Sequence, residues 1–354
     1  MHAILGLFCT LVAVAASSSA PKLKLSSGYE IPVVGLGTWQ LEKEAVDKAI
    51  NAALDNGYTY IDTAFVYNNE EEIGQSLKKY FDKGGKRESL FITTKLPIFA
   101  VRASDVERYL KLSLKNLGLE YVDLYLIHAP AGIVADKDGK IVENEDGSVV
   151  LDDSTDLIAT WKAMEDQVKA GLVKSIGLSN FNESQISSII ENSEIKPSNL
   201  QVELQAYNQQ RRLREFCNQH NISITAYSSL GSSASRSLVT DTARELTNLL
   251  EHPIVKKIAD DRNKTTAQVL LRHQVQEGII VIPKSSNPDR IKANMDIFDF
   301  ELTEDELRQL DSLDRGEDGR LFDFLCFHKG LDKHPLYPFI AYLSRDTQKT
   351  HEPK

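Results

Sequence analysis

The chain has 354 residues, 42% of them hydrophobic and 26% charged, with a formal net charge of −10. That is too long for a stapled miniprotein and too apolar for a disordered chain, and an acidic balance excludes a general nucleic-acid binder, because phosphate needs a basic face. Three cysteines are too few for a disulfide framework or a multi-cysteine zinc module.

The first element is an apolar run from Ala3 to Ala16. It is shorter than the roughly 20 residues of a membrane span, and the small residues Ser17 to Ala20 follow it. This reads as a secretory signal peptide over residues 1–20, cut after Ala16, Ser18 or Ala20, with no membrane association after cleavage. Removal takes Cys9 and leaves Cys217 and Cys326, expected as two unpaired buried thiols. Three N-glycosylation triplets begin at Asn182, Asn221 and Asn263; such triplets also arise by chance.

From Leu23 to Val34, Ser26-Ser27-Gly28 between apolar flanks predicts a β-hairpin. Eight apolar, β-rich runs follow, at 33–39, 60–64, 90–96, 122–129, 173–179, 199–207, 222–229 and 279–285. Most are near-continuous, as in parallel strands covered on both faces. Helical patterns ending in glycine lie between them, such as SDVERYLKLSLKNLGL. Eight strand–helix units predict one (β/α)8 TIM-barrel domain over 21–354, its N-terminal end plugged by the hairpin. Long loops after the fourth strand (131–155) and the seventh (231–248) belong to the C-terminal face, where barrel active sites form. A tail begins near Arg320.

Polar residues at strand ends carry the chemistry. Asp62, Lys95 and His128 end consecutive strands at intervals of 33 residues, and Tyr67 follows Asp62 by five. A single Asp, Lys or His at such a place is more often a cap, an ion pair or a satisfied core residue; the conjunction points to one pocket. A phenol has an ordinary pKa of about 10, and an ammonium beside it favours the phenolate. Lys95 supplies that charge, Asp62 holds Lys95, and His128 can donate to a carbonyl oxygen. Such a set polarises and protonates a ketone or aldehyde oxygen. No side chain donates hydride, so a nicotinamide cofactor is required.

GLGTW (35–39), DTAFVYNNEEEIG (62–74), TTKL (93–96), LIHAP (126–130), GLSNF (177–181), QVELQAYNQ (201–209), YSSLGS (227–232) and IPKSSNPDRIKAN (282–294) together resemble the aldo-keto reductase family. The resemblance runs in order from about residue 23 to HPLYPF (334–339). It implies a barrel that reduces carbonyls with NADPH, with Tyr67 as proton donor and Asp62, Lys95 and His128 completing the tetrad. It places Ser179, Asn180 and Gln205 on the nicotinamide carboxamide and Tyr227 under its ring. Ser228, Leu230 and Ser232 fall beside the pyrophosphate, and Lys284, Ser285 and Arg290 at the 2′-phosphate, with Ser286 beside them and Asn294 at adenine. Thr38, Trp39 and Asp62 join the cofactor set. A lysine and an arginine near a hydroxyl suit a dianion, which favours NADPH over NADH.

Three departures from the family bear on the cofactor. Ala293, Ala234 and Gln40 stand where some members carry charges that latch a loop over it, so looser latching and faster exchange are expected. In the substrate pocket, which also takes in Tyr67 and His128, Trp39 and Val66 are retained, but Ala129 replaces a bulky aromatic that many members place after the histidine, and Pro97 a second tryptophan that some carry after the lysine. Lost bulk enlarges the cleft toward a steroid-sized ketone, unless Phe322, Phe324 and Phe327 of the tail refill it. The expected partner is a small carbonyl compound, and the expected state a monomer.

Four other readings compete. A short-chain dehydrogenase needs Tyr-x-x-x-Lys, which none of the twelve tyrosines provides. A metal-dependent barrel hydrolase needs clustered ligands, and the eight histidines are scattered without His-Glu-x-x-His, so no metal site is expected. Within the barrel, a broad aldehyde reductase and a secreted, non-catalytic carrier remain as alternatives.

Overall fold

The computed structural model describes residues 19–137, 139–232 and 238–339. Most of the leader, Ala234 and the chain beyond Phe339 lie outside the described residues. The hairpin forms as expected from β1 (Lys22–Lys24) and β2 (Glu30–Pro32), paired antiparallel. Its Leu25 and Ile31 pack against Tyr60, Phe91 and Leu124 inside the barrel, closing the end where the strands begin.

All eight barrel strands are present: β3 (Leu36–Gly37), β4 (Tyr60–Asp62), β5 (Phe91–Leu96), β6 (Val122–Ile127), β7 (Val173–Ser179), β8 (Asn199–Glu203), β9 (Ser223–Tyr227) and β10 (Ile280–Val281). Each pairs in parallel with its neighbour in sequence. A parallel bridge between Val34 and Val281 joins the first to the last and makes the sheet a closed (β/α)8 barrel. The first and last strands are shorter than their apolar runs suggest. Pro283 has no N–H to donate, so the ladder stops there. Gly37 is required at this seam, since a Cβ would come within 2.5 Å of the Ile282 carbonyl oxygen.

Helices α1 (Lys43–Asp55), α2 (Glu70–Asp82), α3 (Ala103–Leu117), α4 (Leu157–Lys169), α5 (Glu183–Asn192) and α6 (Arg211–Gln219) each follow one strand. After β9 come α7 (Asp241–Glu245), α8 (Pro253–Arg262) and α9 (Thr266–Gln276); α10 (Pro288–Met295) and α11 (Glu304–Asp311) follow β10. Gly118 caps α3 in the left-handed conformation, as its sequence position implies.

The loop after β6 folds on itself through bridges Ile133–Leu151, Ala135–Ile141 and Glu143–Val149. It also holds the tail: the Val149 N–H donates to the Lys329 carbonyl at 2.9 Å, and His334 Nε2 meets the Asp152 carbonyl at 3.2 Å. Cys217 is buried, but Cys326 is exposed, which corrects the expectation of two buried thiols. Its place on the tail, outside the helical layers, is the reason.

Candidate active site

Successive side chains on a strand face opposite ways, so residues two apart share a face. Tyr60, Phe91 and Leu124 point into the barrel, and the same alternation sends Asp62, Lys95 and His128 inward near the ends of their strands. Asp62 is level with Thr93, and Lys95 with Leu126. Each polar residue therefore sits two positions above its neighbour's level, and the spacing of 33 carries the climb of a staggered barrel.

Lys95 is fully buried. Its Nζ donates to Asp62 Oδ1 at 2.6 Å, to the Thr63 carbonyl at 2.9 Å and to Tyr67 Oη at 3.4 Å. Asp62 Oδ2 accepts from Gln201 Nε2 at 2.7 Å and from the Tyr60 hydroxyl at 3.2 Å. Tyr67 lies on a single 3₁₀ turn, Phe65–Tyr67. Two contacts anchor that turn: Phe65 packs edge-on against Tyr109, and Asn69 Nδ2 donates to the carbonyls of Thr38 and Leu41. The Tyr67 and His128 rings meet edge to face at 5.8 Å. All four expected groups converge.

Their protonation follows from burial and neighbours. Burial pushes His128 well below its ordinary pKa, with the Lys95 charge acting the same way, so the imidazole is neutral. Lys95 stays charged: burial opposes its charge, but Asp62 and Tyr67 outweigh it and raise the pKa. Tyr67 departs from expectation. Burial raises it above 10 and outweighs the lowering by Lys95, while Asp62 also acts upward. The carboxylate that holds the ammonium cancels much of its field at the phenol.

The other expected residues are distributed around the same rim. Thr38 is buried and donates to the Asp62 carbonyl at 2.9 Å. Ser179 ends β7 and Asn180 follows it; Asn180 Nδ2 donates to the His128 carbonyl at 2.9 Å, and its Oδ1 accepts from the Tyr227 hydroxyl at 2.8 Å. Ser228 and Ser232, both with positive φ, share a hydrogen bond at 2.8 Å around the turn that carries Leu230. Across the seam, Lys284, Ser286 and Arg290 are exposed, whereas Ser285 and Asn294 are buried. Partial desolvation of its stem lowers Lys284, Glu42 opposes that, and Arg290 adds to the lowering.

Gln205 is fully buried and bonded to the tail and its own turn. Its Nε2 donates to the Gly319 carbonyl at 2.8 Å, and its Oε1 accepts from the Tyr207 N–H at 2.6 Å. The glutamine beside the tetrad is Gln201, through its bond to Asp62. It stands on β8 with the inward parity of Asn199 and Glu203, a signal the sequence contained.

In the expected substrate pocket Val66 is half-buried, but Pro97 and Ala129 are buried, Ala129 only 3% exposed. Neither presents an open face, so lost bulk there does not by itself widen the cleft. Instead, Trp39 meets Phe322 and Phe327 of the tail edge to face at 5.6 and 6.0 Å. Phe324 turns away onto Phe339. The tail is held by Glu203, which sequence reasoning missed. This fully buried carboxylate accepts the N–H groups of Leu321 and Phe322, each at 2.8 Å.

A barrel with a charged Lys–Asp pair under a tyrosine and a neutral histidine, flanked by amide and cationic side chains, is arranged to protonate a carbonyl oxygen beside a dinucleotide. The Aldo/keto reductase family model matches residues 33–315. Mouse aldo-keto reductase family 1 member A1 is 41% identical, over 91% of this chain and 98% of the mouse protein. The NADH-dependent D-xylose reductase of Candida parapsilosis is 42% identical over 84% of this chain and 94% of that protein. Among solved structures, the aldose reductase of Schistosoma japonicum superposes with a TM-score of 0.81 at 40% identity, covering 90% of this chain and 98% of that one. The chain belongs to the aldo/keto reductase family and is an oxidoreductase acting on carbonyl and alcohol groups.

Proposed function

We propose that this protein is a secreted, monomeric, NADPH-dependent ketone reductase whose substrate is a bulky, largely apolar ketone, with an ecdysteroid 3-ketone (3-dehydroecdysone, reduced to ecdysone) as the leading candidate. The reading follows a resemblance to the insect haemolymph enzyme of that activity, joined to the leader over residues 1–20. The observation that carries the chemistry is the convergence of Lys95 Nζ on both Asp62 and Tyr67.

The nicotinamide cofactor supplies the hydride when bound. The chain's own residues do the rest. Neutral His128 donates to the carbonyl oxygen and orients it. Tyr67 gives that oxygen its proton, and the Lys95 charge stabilises the phenolate left behind. Asp62 keeps Lys95 charged and in place. Ser179, Asn180 and Gln201 would hold the carboxamide end and Tyr227 would stack on its ring, while Lys284 and Arg290 would pair with the 2′-phosphate. The tail rings on Trp39 favour a second reading, a broad aldehyde reductase for slimmer substrates.

The test is NADPH oxidation by purified mature protein against aldehydes, quinones and 3-ketosteroids, beside Tyr67→Phe. Wild type is expected to turn over ketones, and the variant to bind NADPH yet lose nearly all kcat. Retained turnover in the variant removes the proposed proton donor, and tight ligand binding without turnover in wild type favours a carrier.

A further inference from the structure

The tail brings one polar group near His128 that the tetrad does not use. His328 follows Phe327, whose ring stands on Trp39. The turn is fixed by its own backbone: the His328 N–H donates to the Phe324 carbonyl at 2.9 Å, and the His328 carbonyl accepts from Leu331 at 3.1 Å. Its Nδ1 is buried and has no hydrogen-bond partner. A buried polar atom left unpaired is costly, so such an atom is normally satisfied by protein, water or ligand. His328 also lies near enough to His128 for a charge on either to oppose one on the other, and burial keeps His328 neutral.

We propose that His328 is a specificity-determining residue whose Nδ1 pairs with a hydroxyl group of the substrate, so that the preferred substrate is a hydroxylated ketone rather than a plain hydrocarbon one. This deepens the reductase reading and rests on it. A neutral imidazole donates or accepts according to its tautomer, and a hydroxyl answers either need. A carboxylate is disfavoured, because burying its charge against a neutral imidazole is costly. Carbonyl chemistry at His128 and hydroxyl recognition at His328 thereby stand close together, with His328 next in the chain to the Phe327 ring on Trp39.

The test compares a hydroxyketone with its deoxy analogue, using NADPH, on wild type, His328→Phe and His328→Gln. An unhydroxylated aromatic aldehyde serves as the control. His328→Phe is expected to lower kcat/KM for the hydroxyketone about tenfold or more, mainly through KM, because one polar pairing is lost. The deoxy ketone and the aldehyde are expected to change less than about twofold. His328→Gln, which keeps a hydrogen-bonding group, restores part of the preference and serves alone if the phenylalanine variant fails to fold. Equal losses on both ketones, or no loss on either, overturn the proposal. Absence of turnover by wild type on every carbonyl instead overturns the reductase reading on which it rests.

Discussion

Replacing Glu203 with glutamine tests how the tail is held. The carboxylate accepts two backbone N–H groups at 2.8 Å, with Gly319, Leu321 and Phe322 drawn against the end of β8. Gly319 is needed there because any Cβ would collide with the Tyr207 carbonyl. Hydrogen bonds to an ionised acceptor contribute roughly 1.5–3 kcal/mol each, against about 1 kcal/mol for a neutral one. In Glu203→Gln one N–H keeps a neutral acceptor while the other faces an amide NH₂. Opening of segment 319–322 should become easier by about 2–3 kcal/mol, or roughly 30- to 150-fold in amide exchange at tenfold per 1.4 kcal/mol. The assay is hydrogen exchange on peptides covering 317–324, with the β6 peptide 122–127 as an internal standard. Because Phe322 also packs with Val239 and Ala243 of the loop after β9, and Thr240 bonds to the Arg320 and Leu321 carbonyls, cofactor release should quicken in the same variant. Unchanged protection at Leu321 and Phe322 would refute the clamp.

Other predictions follow from the same geometry. His128 is depressed below its ordinary pKa, so its contribution to stability is complete above about pH 6.5 and is lost as pH falls through the lowered value; Tm measured from pH 8 to 5 should fall, and His128→Gln should flatten part of that slope. Tyr67 is raised above 10, so its phenol stays protonated and carbonyl reduction should be level from about pH 7 to 9; a decline centred near pH 8 would show instead that the Lys95 charge outweighs burial at the phenol. Arg290→Ala should weaken NADPH binding about 10- to 100-fold with little effect on NADH, read by fluorescence titration. The Ala20 side chain is 3% exposed and lies in the main core, so the mature amino terminus should be Ser17 or Ser19 by mass spectrometry. In the same sample, glycans are expected on exposed Asn221 and Asn263, but not on Asn182, whose amide caps α5 and donates to the Pro338 carbonyl.

The looser latching expected from Ala293 and Gln40 considers only charge. Residues Val239, Thr240 and Ala243 are tied to the tail by apolar packing and backbone bonds instead. Cofactor release in wild type therefore depends on the tail, and stopped-flow fluorescence of wild type beside Glu203→Gln separates the two accounts. Equal release rates in both would restore the charge-only expectation.

How far the site could be read from the chain depended on how local its causes were. Asp62, Lys95 and His128 were legible because strand parity and strand ends are sequence properties, and the barrel then had little freedom in where to put them. Gln205 came from the resemblance alone, and strand parity does not reach it. β8 stops at Glu203, the chain turns through the Gln205–Asn208 bridge, and alternation no longer says which way a side chain points. Gln201 and Glu203 had the correct parity inside the strand, but polar residues in an apolar run carry no mark of which partner they serve. The partner of Glu203 lies 118 residues away. The same distance explains the sign at Tyr67. Counting charges near the phenol uses neighbours that strand order supplies, whereas desolvation depends on everything that covers the pocket, much of it distant in sequence. Residues set by secondary-structure period are thus readable in advance, and those set by what closes over them are not, which is why the chemistry was legible earlier than the substrate.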